Sequence, residues 1–142
     1  MSKSNAFEND LLGLIFNGTA IASLADDAAT SPLTNLYVSL HTGDPGEAGD
    51  QTTNECAYTS YARVAVARSG SGWTITGNSV SPAANIDFPE ATGGTETATH
   101  LAVGTDSTGT GKILYSGAIS PSISIATGVT PRIGTGSTIT ED

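Results

Sequence analysis

From Asn35 onward the apolar residues recur with a period of two, and no other feature limits the fold of this chain so strongly. Leu36, Val38 and Leu40 alternate with Tyr37, Ser39 and His41, the pattern of a half-buried strand. Residues 61–68 repeat it, with Val64 and Val66 on one face and Arg63, Ala65 and Ala67 on the other. Ser69-Gly70-Ser71-Gly72 is a hairpin-type turn that leads into a strand over 73–76. The same reading places strands at 85–88, 97–103 and 113–119, separated by glycine-rich turns at 92–95 and 105–111, and two weaker ones at 122–126 and 137–140. Seven or eight short strands divided by turn signals predict a mainly β fold, a compact β-sandwich or β-barrel. No fixed-period repeat is present, which argues against a solenoid or a propeller.

The N-terminal stretch follows a different period. Phe7, Leu11, Leu14 and Ile15 recur at helical spacing, and Asn17-Gly18 supplies a stop. Asn5 followed by Glu8 resembles a capping box, so a short amphipathic helix is expected over 6–17. Residues 19–29 are Ala-rich and read as a second short helix or an irregular arm, closed by Ser31-Pro32. The expected organisation is a helical arm over 1–30 and a β domain over 31–142. Three helical turns are too short to be stable alone, so the apolar stripe must be buried. It packs on the chain's own sheet or docks on a neighbour as a helix in a groove.

Composition narrows the function. Charged residues are only 13% of the chain, and Glu, Lys, Leu and Arg are too scarce for a helical bundle. Fourteen acidic residues against five basic ones give a net charge of −9, which opposes binding to nucleic acid or to an anionic membrane surface. Cys56 is the single cysteine, which removes internal disulfides and cysteine metal clusters and fits synthesis in a reducing cytoplasm. Neither a targeting segment nor a membrane span is recognisable, because the apolar run at 11–16 is short and interrupted by Gly13.

No constellation for catalysis emerges. His41 and His100 lie at alternating strand positions without a flanking carboxylate at a recognisable spacing. No nucleophile elbow, zinc-protease helix or phosphate loop is present, and Lys112 follows a glycine-rich stretch that lacks the rest of that loop. The loop at 42–55 carries Asp44, Glu47, Asp50 and Glu55, oxygen ligands of the kind calcium requires, but not at EF-hand spacing. A solvated surface loop is the expected reading, a cation site or a partner-contact loop the alternatives. Arg63 and Arg68 flank one strand and are expected to meet carboxylates, within the protein or across a subunit boundary, or to stack on Tyr58 or Tyr61. Trp73 is expected to anchor the core, and Cys56 to be inert. Phe7, Leu11, Leu14, Ile15, Arg63 and Arg68 are therefore the candidate partner-contact residues. No catalytic, metal or cofactor residue is expected.

The run LYVSLHTGDPGEAGD, then Glu55, then YTSYARVAVAR, resembles a family of small virion proteins of tailed bacteriophages. The likeness continues through GWTITGNSVSPAANIDFP, THLAVGTDSTGTGKILYSGAIS and GVTPRI, and includes the LLGLIFNGTAI stretch near the start. Members of that family are commonly labelled tail-fibre proteins, and some are similar to capsid decoration (cement) proteins. The resemblance implies a non-enzymatic virion component. A short chain without repeats favours decoration of the outer capsid surface, with the major capsid protein as partner and a homotrimer at threefold positions. A tail-fibre or tail-associated protein involved in host attachment is the alternative.

Overall fold

A computed structural model of the chain describes residues 5–21 and 32–141, the side chain of Asn5 excepted. Most of the arm expected over 19–29, and the capping side chain of Asn5, fall outside the described residues. Within them the fold is mainly β, with α1 (Asn5–Asn17) followed by β1 (Asn35–His41), β2 (Val64–Ala67), β3 (Trp73–Thr76), β4 (Ser79–Pro82), β5 (Ile86–Asp87), β6 (Glu96–Gly104), β7 (Ile113–Ile125), β8 (Arg132–Ile133) and β9 (Ile139–Thr140). They form three antiparallel sheets, ordered β2-β1-β6-β7, β3-β4-β9 and β5-β8. No barrel closes among the described residues, since the four-stranded sheet ends on β2 and β7.

The chain divides into two compact units. One takes Met1–Asn35, Val66–Ile86 and Ile133–Asp142, and the other takes Leu36–Ala65 and Asp87–Arg132. The chain passes between them within β1, β2, β5 and β8.

In the first unit α1 packs on β3 and β4. Its buried face is Glu8, Leu12 and Phe16, spaced at i, i+4 and i+8 so that the three side chains stack along one side. This corrects the expected apolar stripe. Leu11, Leu14 and Ile15 are half-buried flanks, and Phe7 is 38% exposed. Phe16 meets Trp73 edge-to-face at 4.7 Å between ring centroids, and both are buried, so Trp73 is a core anchor as expected. Arg68 closes the helix end: Nε donates to the Ile15 carbonyl at 2.7 Å and Nη2 to that of Leu14 at 2.5 Å. Those carbonyls belong to the last turn, which has no intrahelical donors for them, and a cation there also opposes the negative end of the helix dipole.

In the second unit β1 pairs with β6, and β6 with β7. β1 is buried on both faces, because Ser39 and His41 are enclosed as fully as Leu36, Val38 and Leu40. The half-buried strand expected from its alternation is therefore a central one. The two strands expected at 113–119 and 122–126 are a single strand, β7, with an irregularity in the middle. Ala98 pairs with Ile123 and His100 with Ala118, so two steps on β6 face five on β7. Pro121, preceded by a cis peptide bond, sits in that irregularity, where a residue without an N–H loses no ladder bond.

Candidate functional site

Two adjoining features of the second unit carry most of its polar chemistry. The first is a clasp that holds two loops together. Glu55 leaves β1's neighbourhood through an isolated bridge to His41, and Arg63 precedes β2. Their side chains form a two-pronged ion pair: Nε donates to Oε1 at 2.7 Å and Nη2 to Oε2 at 2.8 Å. The arginine side chain is 3% exposed and the glutamate 16%, so water hardly competes for the pair. Tyr61 donates its hydroxyl to the same carboxylate at 3.0 Å and accepts the Leu40 N–H, also at 3.0 Å. Burial pushes the Tyr61 phenol well above its ordinary value, and the glutamate's hydrogen bond holds Arg63 firmly charged.

Arg63 does more than pair. Nη1 donates to the Asp106 carbonyl at 2.9 Å and Nη2 to that of Gly109 at 2.8 Å, which pins the turn at 105–111. Gln51, fully buried, completes the attachment: its N–H donates to Gly111 and its Oε1 accepts from Asp106 N–H, both at 3.0 Å. Gly104 and Gly111 leave the space that Gln51 occupies. A Cβ at either position would lie within 2.2 Å of the Gln51 amide. The glycine-rich stretch before Lys112 is thus the seat of a glutamine side chain.

The second feature is an open cleft of about 610 Å³ lined by Asp44, Glu47, His100 and residues 113–118 of β7. Of the four carboxylates in the acidic loop, Asp44 accepts its own turn's Gly46 N–H at 2.8 Å. Asp50 accepts the Thr52 hydroxyl at 2.6 Å and the Thr52 N–H at 2.8 Å, and these bonds hold its carboxyl below the usual range. Glu55 belongs to the clasp and Glu47 to the cleft. Among the described residues no three acidic, histidine or cysteine side chains converge as a metal site.

The candidate basic residues divide likewise. Arg63 meets a carboxylate, as expected; the described partners of Arg68 are backbone carbonyls, including Leu33. Arg132 pairs with Asp87 at the surface, which lowers the Asp87 carboxyl below its ordinary value.

The histidine and cysteine chemistry is committed internally. His41 Nδ1 lies 2.8 Å from the Thr53 carbonyl, which can only accept, so Nδ1 carries the proton and Nε2 accepts from the Ser39 hydroxyl at 2.8 Å. Loss of hydration in this buried site lowers the His41 pKa. Ser39 and His41 have the connectivity of a nucleophile and its base, yet both are 0% exposed and offer a substrate no access. The Cys56 thiol is buried, and desolvation aided by nearby Glu96 pushes it up to about 12. Gln51 and the Ser39–His41 pair were not singled out by sequence reasoning, because nothing in a lone loop glutamine or a strand serine marks it as buried.

No curated protein matches the chain. Residues 2–141 match the family model described as Podophage GP4 fiber I protein gp80, and the chain therefore belongs to that family of phage virion structural proteins.

Proposed function

We propose that this chain is a non-enzymatic building unit of a phage tail fibre, acting through protein–protein contacts. The observation that carries the reading is the family match over nearly the whole sequence, whose description is that of a fibre protein. It reverses the order of the two virion positions, so the fibre takes precedence over decoration of the outer head surface. The internal chemistry supports a structural role: the buried histidine has both ring nitrogens engaged, the cysteine is held protonated, and the nearly buried Arg63–Glu55 ion pair serves to fasten loops. A net charge of −9 disfavours nucleic acid and anionic membranes as partners.

The test is labelling of intact virions with an antibody fragment against this chain, viewed by electron microscopy. Label confined to the tail region supports the fibre assignment. Label distributed over the head surface replaces it with decoration, with the major capsid protein as the partner.

A further inference from the structure

β1 is flanked by β2 and β6, and one of its faces is the core side of Leu36, Val38 and Leu40. Ser39 and His41 point to the opposite face, together with their register partners Ala102 and His100. The acidic loop at 42–55 lies over that face. The Thr53 carbonyl meets His41 Nδ1 at 2.8 Å, and Gln51 fills the space above Gly104, which pairs with Tyr37 on the same side. The loop is thus what separates Ser39 and His41, both 0% exposed, from water.

This enclosure suits one protonation state. With the proton on Nδ1, the ring donates to Thr53 and accepts from the Ser39 hydroxyl. A second proton, on Nε2, turns that acceptor into a donor, so the Ser39 hydroxyl has to reverse and give up its acceptor. The largest cost of the new charge is lost hydration. Of the charged and titratable groups around it, Arg63 and His100 disfavour it as well. Glu55 favours it, but that carboxylate is already engaged by Arg63 and Tyr61.

We propose that His41 is an acid-sensitive latch, whose protonation releases residues 42–54 from the sheet while Glu55 stays clasped by Arg63. Water reaches the ring once Thr53 moves away, and β1, β6 and β7 need not separate, so the opening is local. The loop carries Asp44 and Glu47 with it, and the same step reshapes the open cleft that they line. The latch concerns the loop alone and holds whether the virion position is fibre or head.

Hydrogen exchange of the purified full chain, read amide by amide by NMR at pH 7.5 and pH 5 and corrected for the intrinsic pH dependence, tests this. The reporting amides are Thr42, which donates to Asn54, and Gln51, which donates to Gly111. A hydrated imidazole titrates at about 6.5, so a ring kept neutral by the closed loop favours opening by up to about thirtyfold more at pH 5 than at pH 7.5. Protection of the two amides should fall by that order and stay at least about tenfold below that of β6, which reports opening of the whole sheet. His41→Gln and His41→Asn do not titrate, and in either one that circular dichroism shows to be folded the pH effect should vanish. Asp44, Glu47, Asp50 and Glu55 remain in those variants, so a response of the carboxylates would persist there. His100→Gln should keep the effect. Protection indifferent to pH, the same fall in a His41 variant, or loop protection equal to that of β6 would overturn the proposal.

Discussion

Replacing Arg63 with alanine removes one half of a nearly dry ion pair. The remaining Glu55 carboxylate keeps only the Tyr61 hydroxyl, and the carbonyls of Asp106 and Gly109 lose their donors. Breaking a buried pair by deleting one partner costs about 3–5 kcal/mol, against about 0–1 for an exposed pair. With 3% and 16% side-chain exposure, the pair belongs to the first class, and its position at the loops favours the lower end, about 3 kcal/mol. For a chain of this size that corresponds to a fall in Tm of roughly 10 °C. Urea titration and thermal melts of R63A, E55Q and the double variant give the coupling directly. The double variant should be less destabilised than the sum of the singles by at least ~1 kcal/mol, because the second removal takes away a stranded group. Additive effects, with R63A costing under ~1 kcal/mol, would refute the view that this pair fastens the loops.

The buried face of α1 makes Phe16→Ala cost about 3–5 kcal/mol, which chemical denaturation reads directly. Because the His41 pKa is lowered in the fold, the unfolded chain takes up a proton that the folded chain refuses as pH falls below the ordinary 6.5. Stability should therefore decline on acidification from pH 7 towards pH 5, and His41→Gln should flatten that decline in melts across the range. Gly104→Ala forces a methyl into the Gln51 amide and should cost about 1–3 kcal/mol, and a urea titration should show that combining it with Gln51→Ala costs less than the sum.

The sequence carried the strand-rich class, α1 and the approximate position of most strands, since each rests on a local period. β1 was legible as a strand, but not as a central one, because alternation does not reveal that Ser39 and His41 are covered from the other side. β4 escaped notice, as its Ser-Val-Ser-Pro composition resembles a loop and pairing with β3 and β9 makes it a strand. Glu8 was read as a cap partner, which concealed that it opens the buried face with Leu12 and Phe16. For the candidate site, the surplus of acid over base pointed to Arg63 as a residue in use, and its partner lay only eight positions away. Gln51 and the carbonyls of the 105–111 turn were beyond reach, because their meeting depends on β6 and β7 carrying that turn back over the acidic loop.

The number of copies of this chain in each purified virion, measured by quantitative mass spectrometry against the major capsid protein, tests the functional account most directly. A fibre component should be present in a small number of copies set by the tail. An abundance approaching that of the major capsid protein would contradict the fibre assignment and identify a protein that covers the head.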